Sequence, residues 1–252
     1  MRPTPGWGWR TGEPGRREGM QSMTIEAVEE FLRSSLYIDS DAEPVVAFAR
    51  RIAGVGPDPG ARAVALYYAV RDGIVYTPYC DFRSEETYRA SACVVRGSGF
   101  CVAKAALLAA AARVVGIPAR VGFADVRNHL ASPRLRQLMG TDVFYYHGYA
   151  DLYLSGAWVK ATPAFDRRLC ERFGVRPLEF DGQSDSLFHP YDVNGRRHLE
   201  YLHDRGPHGD VPVAAIRDTF ERHYPGLMTA VQSAAPERFR QEARPIPESC
   251  PA

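Results

Sequence analysis

The sequence predicts an α+β protein in which one buried, alanine-rich helix lies against an antiparallel sheet. Three stretches predict this. Gly97-Ser98-Gly99-Phe100-Cys101 leads into an apolar run that Val115-Gly116-Ile117-Pro118 closes, which is the pattern of a helix that is apolar all round and stopped by glycine and proline. Tyr145 to Leu154 reads as a long strand that turns at Ser155-Gly156 and returns through Trp158-Val159-Lys160-Ala161. Ahead of both, helical periodicities separated by Gly and Pro occupy the first third of the chain.

In chain order, Thr24 is placed to cap a first helix running to Arg33, with Ile25, Val28, Phe31 and Leu32 on one side. Asp41 is the candidate cap of a second helix starting near Pro44 and ending at Gly54. Its apolar stripe is Val45, Phe48, Ala49 and Ile52. Pro59 opens a third helix that Asp72-Gly73 stops, and Ile74-Val75-Tyr76 reads as a short strand. Residues 77–98 read as a long irregular approach to Cys101, 119–124 as a strand and 127–141 as a polar loop. Residues 170–212 are expected to be rich in loops, and a last amphipathic helix carries Ile216, Phe220 and Tyr224. The expected organisation is a disordered extension over 1–22, one domain over 23–235 and a frayed tail over 236–252.

Composition narrows the function. Lys and Arg number 31 against 30 Asp and Glu, giving a net charge of +1 without a basic stripe, so nucleic acid is not an expected partner. No apolar run reaches the length of a membrane span; Lys104 and Arg113 interrupt the longest. Five cysteines at positions 80, 93, 101, 170 and 250, with no C-x-x-C pair, argue against a disulfide framework or a zinc ribbon. They favour a reducing, cytoplasmic setting. No cofactor or metal is expected: Asp192-Val193-Asn194-Gly195 is only a fragment of a calcium loop, and His198, His203 and His208, five apart, would not share a helix face. Oligomeric state is not legible.

Cys101 carries the chemistry. At a helix N-terminus a thiol meets unpaired N–H groups and the positive end of the helix dipole, which lower its pKa below about 8.5. A thiol nucleophile also needs a base within hydrogen-bond reach and a third group to orient that base. His147, in mid-strand among aromatic residues, is the base candidate. If Ser155-Gly156 is a two-residue turn, Leu154 faces Ala157, and counting back pairs Tyr149 with Thr162 and His147 with Ala164. Thr162 is then a diagonal neighbour of His147, and Asp166 is the other if the strand continues past Pro163.

These residues resemble the transglutaminase-like core, a branch of the papain-like cysteine proteins. The resemblance rests on Gly99-Phe100-Cys101, on Val114-Val115-Gly116-Ile117-Pro118-Ala119-Arg120, on His147 followed by Asp151-Leu152-Tyr153-Leu154, and on Gly156-Ala157-Trp158-Val159 before Thr162-Pro163. It covers about 60–166, with the motifs in the family's order. It implies a papain-like fold and a cysteine–histidine–acid site in which Cys101 attacks an acyl carbon and His147 moves the proton. Where the family has aspartate before the proline, this chain has Thr162. The third member is therefore Asp166, supplying charge, or Thr162, supplying a neutral acceptor. An oxyanion hole is expected from the Cys101 N–H and a donor near Tyr79 or Cys80. The implied reaction is acyl transfer through a thioester on a peptide or protein amide, ending on water or on an amine. The alternative is a catalytically silent peptide-binding module.

Overall fold

The computed structural model describes residues 25–54, 56–129, 131–187, 198–229 and 238–243. α1 (Ile25–Glu29) tightens into a 3-10 turn over Glu30–Leu32, and α2 (Glu43–Ala53) follows. Asp41 does not cap α2; that position falls to Ala42, and the Asp41 carboxylate accepts from the Ser34 hydroxyl. α3 (Pro59–Gly73) begins at Asp58, whose carboxylate accepts from the N–H groups of Gly60 at 2.9 Å and Ala61 at 3.2 Å.

The approach to Cys101 is more regular than its sequence implies. It contains α4 (Ala90–Arg96), ended by Gly97 at φ +65°, and a parallel pairing of β1 (Val75–Tyr76) with β2 (Ser98–Gly99). Gly99 serves close approach: a Cβ there would lie 2.9 Å from the Cys93 sulfur and 3.1 Å from Ala103 Cβ. α5 (Cys101–Val114) starts immediately afterwards and is buried from Cys101 through Arg113.

A helix buried on every side must satisfy its two cations internally. Lys104 donates from Nζ to the carbonyls of Arg71 (2.9 Å) and Ile74 (2.6 Å), fastening the end of α3 to the start of α5. Burial pushes its pKa down to about 8. Arg113 donates to the carbonyls of Ala119, Arg33 and Gly209. The cations that interrupt the apolar run thus staple the helix to its surroundings.

α5 packs on a four-stranded antiparallel sheet of order β5-β4-β3-β6, built from β3 (Ala119–Asn128), β4 (Val143–Leu154), β5 (Ala157–Ala161) and β6 (Leu199–His208). This is the α+β arrangement expected, a cysteine helix against an antiparallel sheet. Leu154 pairs with Ala157 across Ser155 (φ 50°) and Gly156 (φ 84°), as the two-residue turn requires. The ladder stops at Ala150–Ala161, because the Thr162 N–H turns away to the Ser186 carbonyl at 3.0 Å. The pairings of Tyr149 with Thr162 and His147 with Ala164 therefore do not form.

The region expected to be a polar loop holds α6 (Pro133–Met139), which Ser132 caps by accepting from Leu135 N–H at 3.2 Å. The loop-rich third holds α7 (Arg167–Phe173) and the edge strand β6. α8 (Val213–His223) buries Ile216 and Phe220 as its spacing predicts, and α9 (Pro225–Thr229) follows. The tail is not uniformly frayed. α10 (Arg238–Glu242) docks through Phe239, which is buried against Tyr76, Tyr79 and Phe173. The expected N-terminal extension, the Asp192–Gly195 fragment and Cys250 lie outside the described residues.

Candidate active site

Two elements meet at Cys101. It is the first residue of α5, after an extended Phe100, so the free N–H groups of the helix start surround its side chain. β4 crosses this end at Gly148, where a Cβ would lie 3.0 Å from Val102 Cα and 3.3 Å from the Cys101 carbonyl oxygen. Only glycine lets the strand come so close. The approach brings the neighbouring His147 to the cysteine: both residues, 7% and 4% exposed, line one pocket.

A bulge sets the local course of β4. Ala124 pairs with His147 but Val126 pairs with Phe144, so one residue of β3, Asp125, opposes two of β4, Tyr145 and Tyr146. Tyr146 absorbs the extra residue at φ 55°, a left-handed conformation that costs a bulky side chain about 1–3 kcal/mol. Its surroundings hold it there. Tyr146 N–H donates to Asp125 at 3.1 Å, Arg205 forms a two-pronged ion pair with Asp125 at 2.6 and 2.9 Å, and the Arg205 guanidinium lies 4.1 Å from the Tyr146 ring centre. The bulge also puts the adjacent Phe144 and Tyr145 both on the cavity wall, which simple alternation would forbid.

The electrostatics differ from the lowered thiol pKa that the helix start implies. Burial pushes the Cys101 thiol up to about 11 and outweighs the backbone hydrogen bonds from Gly148, Val102 and Cys101 itself, which favour the thiolate. The helix terminus does act in the expected direction, but desolvation wins. His147 is pushed down to about 3 by burial first, with the nearby His198 adding to it. At neutral pH the free site holds a thiol and a neutral imidazole.

The structure places the candidate third members apart from one another in role. Asp166 caps α7, its Oδ1 accepting from Leu169 N–H at 3.0 Å and from Arg240 at 3.1 Å. Thr162 is buried; its carbonyl accepts from the Tyr67 hydroxyl at 3.2 Å, and its Oγ1 has no hydrogen-bond partner among the described residues. Tyr79 and Cys80 do not line the cavity, where Tyr76 and Pro78 take their expected place. The Tyr79 hydroxyl donates to Glu242, its N–H goes to Thr77 Oγ1 at 3.2 Å, and the Cys80 sulfur sits 3.4 Å from the Thr77 carbonyl.

His198, which the sequence reading weighs only as one of three spaced histidines, lies near His147. It is buried just before β6, and its ring stacks on Phe165 at 6.3 Å while His147 lies 6.5 Å from the same ring. Its regular spacing from His203 and His208 draws attention to a helix, whereas the chain enters a strand there. Among the described residues no group of His, Cys, Asp and Glu could hold a metal ion, and no helix is long and apolar enough to cross a membrane. Cys80, Cys93, Cys101 and Cys170 are free thiols.

The structure thus places a thiol at a helix start and an imidazole on the strand that crosses it, both lining one pocket of an α+β fold. Residues 46–163 match the model of the transglutaminase-like superfamily. Among solved structures it is similar to a "Putative Cysteine Protease from Cytophaga hutchinsonii", with 18% identity and a TM-score of 0.47 over 75% of this chain and 49% of that one. The chain thus spans about half the length of that protein. No curated protein matches it.

Proposed function

We propose that this protein is a cysteine-dependent acyl-transfer enzyme that cleaves an amide bond of a peptide or protein through a thioester on Cys101. The shared cavity of Cys101 and His147 carries the reading, and the superfamily supports a cysteine-type enzyme.

Because the resting pair is neutral, His147 acts as a general base in the step itself rather than as the cation of a standing ion pair. Its ring takes the Cys101 proton as the sulfur bonds to the amide carbon. The carbonyl electrons move onto oxygen, where N–H groups of the helix start are available as donors. Collapse breaks the C–N bond, and the imidazolium returns its proton to the departing amine. Water then attacks the thioester, gives a proton to His147, and the sulfur leaves and regains it. Amide and water become acid and amine. An amine in place of water would give transamidation; hydrolysis is favoured here as the simpler acceptor chemistry.

Thr162 in the acid position and the engagement of Asp166 by α7 and Arg240 favour the second reading, a silent peptide-binding module. A panel of amide and ester substrates, assayed with and without free amines, separates the two. The enzyme reading expects turnover that Cys101→Ala abolishes and His147→Ala reduces by at least about a hundredfold. Peptide binding without turnover, unchanged in Cys101→Ala, would establish the module instead.

A further inference from the structure

An acyl group carried on Cys101 must begin next to its sulfur and extend into the cavity that sulfur faces. The side chains around that cavity are specific about what they accept. Apart from the thiol and the His147 imidazole, the described residues lining it are apolar or aromatic, with Tyr76, Phe82, Met139, Phe144, Phe220 and Leu227 on its walls, and the oxygens their side chains carry are the hydroxyls of Tyr76, Tyr145 and Tyr224. None of the described lining residues is an acid, a lysine or an arginine. The Tyr224 hydroxyl, which could have served as a polar handle, is already used: it accepts from Tyr145 N–H at 2.6 Å and donates to the Val143 carbonyl at 2.7 Å.

Besides Phe144 of β4, three parts of the chain build these walls. Tyr76 and Phe82 come from the approach before α5, Met139 from α6, and Phe220 and Leu227 from α8 and α9. The cavity is ≈30 Å³, room for about two water molecules. A larger acyl group must therefore displace wall volume, and α8 and α9 supply much of that volume.

We propose that the site selects acyl donors whose acyl side chain is apolar, and that it disfavours carboxylate and carboxamide side chains. This deepens the acyl-transfer reading and rests on it. A carboxylate brought into these walls would lose its water with no cation to meet it, and a carboxamide would lose most of its hydrogen bonds. An alkyl chain would exchange water for hydrocarbon.

The probes are p-nitrophenyl butyrate, p-nitrophenyl succinamate and mono-p-nitrophenyl succinate, which share a four-carbon acyl chain and differ at its end. In each acylation the Cys101 sulfur bonds to the carbonyl carbon, p-nitrophenolate leaves, and the thiol proton passes to His147 or to water. Rates are read as acyl mass on the Cys101 peptide and normalised to the reaction of each ester with N-acetylcysteine. Butyryl transfer is expected to exceed succinyl transfer by at least about thirtyfold and succinamoyl transfer by about tenfold. Equal rates, or a preference for either polar acyl group, would overturn the proposal while leaving Cys101 as a nucleophile. Absence of acylation by every ester would overturn the acyl-transfer reading itself.

A wall variant ties the selectivity to this cavity. Leu227→Ala, with folding checked by thermal melting, is expected to raise the hexanoyl-to-acetyl rate ratio about tenfold by enlarging the wall. If the variant folds and that ratio is unchanged, the acyl group sits elsewhere and the proposal fails. If it does not fold, Met139→Gln replaces it. That variant is expected to lower the butyryl-to-succinamoyl ratio at least about threefold, and an unchanged ratio contradicts the proposal.

Discussion

Alkylation of Cys101 as pH is varied reads the balance between burial and the helix start directly. The structure puts the thiol at about 11 against an ordinary 9.0, because burial outweighs the backbone hydrogen bonds from Gly148, Val102 and Cys101. At pH 7 the thiolate fraction is then ~10⁻⁴, where an ordinary thiol would show ~10⁻², so ionisation alone slows reaction about a hundredfold. Burial of the sulfur slows the reagent further, but access does not change with pH, so the slope isolates ionisation. The assay is the rate of iodoacetamide addition to the Cys101 peptide, followed by mass spectrometry from pH 6 to pH 10. The logarithm of the rate is expected to climb by about one per pH unit across pH 7 to 10. Turnover should rise with pH over the same range. Fast alkylation that is flat from pH 5 to 8 would show a standing thiolate–imidazolium pair and refute the reasoning.

Three further outcomes follow from the same geometry. Because the folded-state pKa of His147 is depressed from 6.5 to about 3, the unfolded chain binds the extra proton first on acidification. Its contribution to stability is therefore intact above pH 6.5 and lost as pH falls towards 3. Denaturant melts should show His147→Asn gaining on the natural protein by ~3 kcal/mol between pH 6.5 and pH 4, and parallel curves would show that the imidazole is not buried. Gly148→Ala places a methyl 3.0 Å from Val102 Cα, and is expected to cost about 1–3 kcal/mol and to lower kcat at least about a hundredfold; full activity would mean the close crossing is unimportant. For the third member, Asp166→Ala should cost about 2–4 kcal/mol of stability through the lost helix cap and the lost ion pair with Arg240, with turnover per folded molecule little changed. A larger loss of turnover in Asp166→Ala than in Thr162→Ala, without loss of stability, would restore Asp166 as the orienting acid.

Features encoded by local pattern were legible in the sequence. The helix start at Cys101, the burial of α5 and the hairpin register through Ser155-Gly156 follow from glycine placement, apolar length and strand alternation. The same rules missed what depends on distant partners. The bulge at Tyr146 is created by Asp125 and Arg205, 21 residues before it and 59 after it, so strand alternation misplaces Phe144 or Tyr145. The expected low thiol pKa fails for the same reason. A helix end is visible in sequence, but the walls that strip water from the sulfur come from α6, α8 and α9. The strand register assumed beyond Ala161 does not form, because Ser186 captures the chain there. The spacing of His198 from His203 and His208 gave the wrong signal, because its place near His147 depends on the ring of Phe165, which no local pattern reveals.

The central claim is a covalent acyl group on one sulfur, set there with the help of one imidazole. Rapid mixing with p-nitrophenyl butyrate, followed by acid quenching and peptide mass analysis, measures it directly. The account predicts a butyryl group on the Cys101 peptide that hydroxylamine removes, that is absent in Cys101→Ala, and that forms at least about a hundredfold more slowly in His147→Ala. Acylation spread over other residues, or acylation of Cys101 at an undiminished rate in His147→Ala, would contradict it.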